Sequence, residues 1–428
     1  MLNPFQPFNL LLAYLLVLYI RPHEYVPMVM DWPLLSVLLM LAFALWLARQ
    51  PKRFEAPQFW IMPVLTLMLM LSVIFSGWFG GGFKALSEFF PVVLLFTMFA
   101  TSIDSIERLR QTFAALGIAA TVIAWHGVDQ LENGIGWTGA ELSQESRITY
   151  LGFLNDPNDL GMALVMVLPM LVYLGSRASK WLRLPWYAAA GLVLYAIYLT
   201  NSRGAMLAVG SMVGLFGVLR FGWVRSVMVV PMILGPLIAF GPSRMAEISA
   251  DEDSAEGRIE AWYEGVLMLM RRPVFGVGKG QFADNHGNLT AHNSFVLAFA
   301  ELGLLGYFFW LSNLIITWLM LHKLVKYMLP EGSPADEVQR WDELKAAART
   351  LWCGYAAGLT AAFFLSRSYV VILYIHIALV VALFQIARTA RPEFPAVLFG
   401  PIAGRLFLAS LGSVVAMWLT TRVLLAFT

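Results

Sequence analysis

The amino-acid sequence predicts an all-α, polytopic integral membrane protein with about 12–13 transmembrane helices. Three observations carry that reading. First, 59% of the 428 residues are hydrophobic and 13% are charged, against roughly 45–50% and 25% in soluble domains, so the polar surface of a water-soluble chain is missing. Second, apolar runs close to the ~20 residues that cross a bilayer recur along the whole chain. Third, Lys and Arg gather in every second loop between those runs, the bias that orients membrane proteins. The net charge of +2 offers no basic footprint, so no nucleic-acid partner is expected. The single cysteine, Cys353, excludes a disulfide framework, a cysteine-based zinc site and an iron–sulfur cluster.

Candidate spans fall near 5–20, 32–48, 58–76, 86–101, 112–127, 158–175, 185–201, 204–219, 226–241, 293–321, 350–366, 369–387 and 406–426. Residues 8–20 have the length of a signal-peptide core. No Lys or Arg precedes them and no small-residue cleavage site follows Ile20, so an uncleaved span is expected. With the N-terminus inside, the cytoplasmic loops collect eighteen of the 29 basic residues, and each short outside turn holds at most one. Topology explains the inside charges. It does not explain the outside ones, which become candidates for function.

The chain reads as one transmembrane domain over 1–428 with three sizeable loops: a periplasmic loop at 128–157, the main periplasmic loop at 242–292, and a cytoplasmic loop at 322–349 with a short solvated helix after Pro334. Within the main loop, residues 251–272 pattern as an amphipathic helix. Ser254 is its expected N-cap, the acidic run Asp251, Glu252 and Asp253 and the basic pair Arg271 and Arg272 complement its dipole, and Pro273 stops it. Ile259, Trp262, Val266, Leu269 and Met270 share one face, which places the helix on the membrane surface. The acidic run reads as capping in preference to a cation site.

Next comes VFGVGKGQF, residues 274–282. Gly276, Gly278, Lys279 and Gly280 could let backbone amides approach an anionic group, or simply make a turn. The nucleotide-binding loop is excluded, because its spacing and its hydroxyl are missing. His292 then opens the span 293–321, beside Asn293 and Ser294. Glu301 is expected two turns deeper on the face of Ser294, and a carboxylate inside a span is expected to pair with a neighbouring helix. Arg203 lies in NSRGAML, a tight outside turn at the lipid boundary. A planar, permanently charged guanidinium there suits bidentate phosphate binding, with snorkelling as the alternative. Arg147 precedes Asn155, Asp156, Pro157, Asn158 and Asp159, a turn and helix cap. Arg367, in SRSY, is a weaker case of the same kind. His376 reads as a packing residue, and Arg21, His23 and Glu24 as an interfacial anchor.

SRGA at 202–205, GRIEAW at 257–262, and GVGKGQF followed by AHNSF and AELGLLG resemble the O-antigen ligase/polymerase superfamily, as does the arginine-then-PN segment at 147–161. The N-terminal LYIRPHEYVP is similar to the exosortase-associated O-glycosylation ligase subgroup. The resemblance implies a lipid-carrier-dependent glycosyltransferase of the bacterial inner membrane, with its active site facing the periplasm. Such an enzyme moves a whole glycan from undecaprenyl pyrophosphate to an acceptor hydroxyl without nucleotide, metal or other cofactor. Carried over by motif, its functional arginines fall on Arg203 and Arg258 and its histidine on His292. Arg147 and Lys279 join Arg203 and Arg258 as expected ligands of the donor diphosphate. The residues suit that chemistry. A unit-charge pair at ~4 Å and an effective dielectric of ~20 interacts by about 4 kcal/mol before desolvation, which helps a diphosphate leave, and a neutral imidazole can take the acceptor proton near neutral pH. Three acceptors compete: a lipid core (ligase), another lipid-linked repeat (polymerase), or a protein hydroxyl. A transporter or flippase of lipid-linked sugar is the rival of another class. It would place ionisable groups at the midplane, whereas here they gather at one surface.

Overall fold

The computed structural model describes residues 6–48, 52–144, 146–226 and 252–426. Among them stand α1 (Pro7–Ile20), α2 (Leu34–Ala48), α3 (Gln58–Phe75), α4 (Phe79–Ser102), α5 (Ile106–Asn133), α6 (Pro157–Arg177), α7 (Lys180–Leu199), α8 (Arg203–Phe221), α9 (Glu252–Arg271), α10 (Ser294–Lys326), α11 (Ala335–Phe363), α12 (Val371–Ala390) and α13 (Ala403–Leu425). No strand forms among the described residues beyond two isolated bridges within 135–147. Nine described helices are long and apolar enough to cross a membrane. The protein is thus an all-α polytopic membrane protein. The expected spans at 5–20 and 32–48 form helices of 14 and 15 residues, and the span at 226–241 lies outside the described residues.

Two loops are shorter than the sequence suggested. α5 continues to Asn133, so the loop before α6 starts at Gly134. Instead of a separate solvated helix, Pro334 starts α11, which runs unbroken for 29 residues into the expected span at 350–366. The membrane half of α11 is built from small residues, and Gly354 and Gly358 lie directly against Met166 of α6. Small residues let helix backbones approach closely. Because protein surrounds this half, it needs contact more than hydropathy.

The largest departure from expectation is in α10. Gly303 adopts φ 64°, ψ −172°, a conformation open essentially to glycine alone. Across it, Phe299 packs on Tyr307 with ring centroids 5.6 Å apart, and Phe295 packs on Trp310 at 5.3 Å. At 1.5 Å rise per residue, residues 295 and 310 of a straight helix would be roughly 22 Å apart. Residues 294–302 therefore fold back along 304–326, and only the second arm has the length to cross a bilayer. Ser294, at the start of the first arm, is set roughly 13 Å from the turn, near the level of Trp310, while Glu301 stands at the turn itself. This reverses the expected depth of Glu301.

A fold-back frees backbone groups that must be hydrogen-bonded in a membrane protein. The Gly-rich loop does this. Val277 and Gly278 donate their amides to the carbonyls of Ala300 and Glu301 at 2.9 and 3.0 Å, and the amide of Leu304 donates to Pro273 at 2.8 Å. Gly276 has to be glycine, because a Cβ there would collide with the Glu301 backbone.

At the other end of the bundle, segments assigned to one side of the membrane meet. Arg53 bonds to Thr389, Arg388 pairs with Glu55 at 3.5 Å, Arg391 pairs with Glu337, and Lys323 bonds to the Ala396 carbonyl.

Candidate active site

The segment 363–370, between α11 and α12, joins α6, α8, α9 and the residues beside His292. Arg367 pairs with Asp159 of α6 through Nε and Oδ1 at 2.5 Å. The Thr290 hydroxyl donates to Ser366 at 2.7 Å, Ser294 Oγ donates to the Leu365 carbonyl at 2.6 Å, and the Arg367 amide donates to Ser294 Oγ at 2.9 Å. Phe364 lies against Gly204 of α8, where an added Cβ would sit 3.2 Å from it. Phe363 packs edge-on with Trp262 of α9, centroids 5.6 Å apart. The segment the sequence ranked as weak is the hub.

Around it, three helix starts are built from local capping chemistry. Asp156 Oδ1 accepts the amides of Asn158 and Asp159 at 2.8 and 3.3 Å, with Pro157 at the first helical position. Ser202 accepts from Ala205 at 3.3 Å, which makes Arg203 the first residue of α8. Asn293 accepts from Phe295 and Val296 at 2.9 and 3.2 Å. Such caps each contribute about 1 kcal/mol and hold the adjoining residue at a helix mouth. His292, next to the Asn293 cap, is exposed and sits in left-handed backbone at φ 47°.

Arg258 is brought to His292 by α9. The expected face of α9 is used against protein: Trp262, Val266 and Leu269 are buried, but Met270 is exposed. Gly265 lies against Val296 and Phe282, so α9 packs closely on the fold-back arm. α9 already begins at Glu252, so Ser254 falls within its first turn and not at its cap. The His292 pKa is held below the ordinary imidazole value, first by desolvation against the packed wall and then by the Arg258 charge. Arg367 adds to this and Asp156 opposes it. Arg258, Asp156 and Arg367 are thus the charged groups that His292 feels.

Arg147 and Lys279 have protein partners. Arg147 is buried, with Nε donating to the Thr200 carbonyl at 2.9 Å and Nη2 to Asn158 Oδ1 at 3.0 Å, and it ties α6 to the α7–α8 turn. Lys279 Nζ pairs with Glu88 of α4, and its amide donates to Ser72 Oγ at 3.1 Å. The carboxyl group beside the Gly-rich loop is the protein's own: Glu301 Oε1 accepts the Phe282 amide at 3.4 Å, with the Gly280 amide and the Tyr369 hydroxyl close by. His376 is buried and its Nε2 bonds to the Leu351 carbonyl at 2.9 Å, a packing role. Arg21 lies over Gly152 and pairs with Glu24. Among the described residues no group of His, Cys, Asp and Glu is placed to hold a metal ion.

Two cavities flank the segment. An apolar groove of about 460 Å³ runs between α8, α10 and α11, lined by Leu215, Phe295, Trp318, Leu359, Phe363 and Phe364. A polar cleft of about 650 Å³ is lined by Asn155, Asp156, Asp159, Ser366, Arg367 and Tyr369, among others. Both fall within the ~300–1,000 Å³ of ligand sites.

A helical membrane protein in which the charges of Arg258 and Arg367 reach one histidine, beside an apolar groove, is the class defined so far. Residues 188–311 match the protein-family model described as O-antigen ligase, which supports placing the chain in the O-antigen ligase/polymerase superfamily. The matched segment holds Arg203, Arg258, Lys279 and His292, and leaves Arg147, Asp156, Asp159 and Arg367 outside it. No curated protein sequence matches the chain.

Proposed function

We propose that the protein transfers a glycan en bloc from undecaprenyl pyrophosphate to an acceptor hydroxyl, at the periplasmic face of the inner membrane. The observation that carries this reading is the apolar groove. Phe364 in its wall touches Gly204, next to Arg203, and Phe363 touches Trp262, one turn from Arg258. A ligand with a long isoprenoid tail and an anionic head fits that order of surfaces. Arg203 and Arg258 bind the diphosphate, while Arg147 ties α6 to the α7–α8 turn beside Arg203 and Lys279 pairs with α4.

In the step itself the acceptor oxygen bonds to the anomeric carbon while its proton passes to the imidazole of His292. The bond from that carbon to the diphosphate oxygen breaks, and its electron pair leaves on undecaprenyl pyrophosphate. Fixed cations aimed at the developing charge stabilise this transition state without reorganisation. Attack opposite the leaving group inverts the anomeric centre.

The test is single-turnover transfer by the purified protein from a lipid-linked donor. His292→Ala should bind donor and lose transfer; unchanged turnover would refute the base assignment. For the orientation, cysteines replacing Asp284 and Glu331 should label from opposite sides, Asp284 from the periplasm. Labelling of both from one side would overturn the placement of the site.

A further inference from the structure

Hydrogen bonds tie the segment 363–370 to the residues on either side of His292. Two positions before it, the Thr290 hydroxyl donates to Ser366 Oγ at 2.7 Å. Two positions after it, Ser294 Oγ donates to the Leu365 carbonyl at 2.6 Å and accepts the Arg367 amide at 2.9 Å. The Ser294 carbonyl also accepts the Ser368 hydroxyl at 2.7 Å. Ser368 is anchored in turn. Its carbonyl accepts Trp310 Nε1 from the second arm of α10 and the Tyr374 hydroxyl from α12, both at 2.9 Å. Both serines are fully buried. We propose that Ser294 and Ser368 are positioning residues, which set the place of the His292 imidazole through its backbone. This rests on the reading of His292 as the base and adds how that base is aimed.

A catalytic base is ordinarily oriented by a third group hydrogen-bonded to it. Among the described residues, burial and nearby charges act on the His292 imidazole and no hydrogen bond does. Its backbone is left-handed at φ 47°, a conformation that persists only where the surroundings over-determine it. The bonds at 290 and 294 constrain it from both sides, and Ser368 carries the constraint back to two packed helices. Neither serine is free to serve a substrate. The Ser294 proton is committed to Leu365 and the Ser368 proton to Ser294, and a hydroxyl has only one. Nor does the start of α10 depend on this clamp, since Asn293 already caps it. The same bonds hold the backbone of Arg367, whose charge reaches the ring from this segment, as the charges of Arg258 on α9 and Asp156 before α6 do from theirs. A misplacement of about 1 Å in such a group can cost about 10²-fold in rate.

The experiment uses the full chain in nanodiscs, labelled with ¹⁵N-histidine, with His292→Ala identifying the His292 signal. Ser294→Ala and Ser368→Ala should each lower single-turnover transfer at saturating donor by about tenfold to a hundredfold, with donor half-saturation unchanged. Loosening the clamp lets water reach the ring and lets the Arg367 charge move away. Both changes raise the His292 titration toward the ordinary ~6.5. Thr290→Val, which removes only the bond to Ser366, should do the same more weakly and serves if the serine variants fail to fold. Gln385→Leu removes a buried bond between α12 and α4, to the Ala100 carbonyl. It should lower thermal stability and leave both rate and titration unchanged. In a His292→Ala background, Ser294→Ala should cost nothing further. An equal loss in both backgrounds overturns the proposal, as does an unchanged His292 titration in Ser294→Ala and Ser368→Ala. Normal transfer by His292→Ala overturns the reading of His292 as the base, and with it the role in aiming that base, whereas the titration alone reports whether the serines place the ring.

Discussion

The loops at 274–282 and 363–370 both pack on α10, and they do opposite things with their polar groups. The first, rich in glycine and carrying Lys279, directs its amides inward to the turn at Gly303 and the Glu301 carboxylate, and its lysine to Glu88. The second, SRSY with its flanking phenylalanines, holds its hydroxyls on the His292 segment and presents Arg367 to an open cleft. Read as motifs, the first could be an anion cradle or a simple turn, and the second is a weaker arginine candidate. The difference lies in where the backbone groups of α10 find partners. A buried fold-back must hydrogen-bond every freed amide and carbonyl, and whichever loop does that is committed to structure.

The sharpest way to break this comparison is at the histidine. His292→Ala should lower single-turnover transfer by about 10²–10⁴-fold, the usual contribution of a positioned base, while the protein still inserts and binds donor. Near-normal transfer would leave SRSY and its neighbours without a reaction to serve. Arg203→Lys and Arg258→Lys keep the charge and lose the planar fork. Each should cost about 10–100-fold in kcat/KM, the worth of one charge-assisted hydrogen bond, and wild-type donor affinity in both would contradict the diphosphate assignment. Lys279→Gln, by contrast, should change transfer by less than about fivefold and lower thermal stability, because its partner is Glu88; an exposed ion pair contributes about 0–1 kcal/mol. A large loss of donor binding there would return the Gly-rich loop to the active site.

Gly303→Ala tests the structural half. The new Cβ would strike the Val274 carbonyl, in a backbone region closed to alanine. The variant should unfold at lower temperature and extract poorly, whereas Gly280→Ala, with open space around it, should be milder. The smallest effect is on pH. A depressed His292 pKa means the imidazole stays neutral, and able to accept a proton, to lower pH than a free histidine. The acid limb of the transfer profile should therefore fall below the ordinary ~6.5. Asp156→Asn removes a charge that favours imidazolium and should move the limb lower still. A shift upward would show that Asp156 does not face the ring.

Much of this was legible in the sequence because it is local. The Asp156–Pro157 start of α6, the Arg203 helix mouth and the stop at Pro273 need only neighbouring residues, and the structure shows all three. The fold-back was not legible, because AELGLLG has the composition of a continuous span and Gly303 differs from Gly306 only in its dihedral angles. The Arg367–Asp159 pair joins residues 208 apart, and nothing in either local motif points to the other. The Lys279–Glu88 pair was hidden for the same reason, since Glu88 is a distant residue on α4.

His292 occupies left-handed backbone, which costs a non-glycine residue about 1–2 kcal/mol. A glycine at this position would relieve that cost and lose the imidazole. His292→Gly should therefore give a protein that is easier to purify and crystallise and inactive in transfer. Any screen that ranks variants of this protein by heat resistance alone will tend to favour it, so a thermostabilised form needs a functional assay at every round.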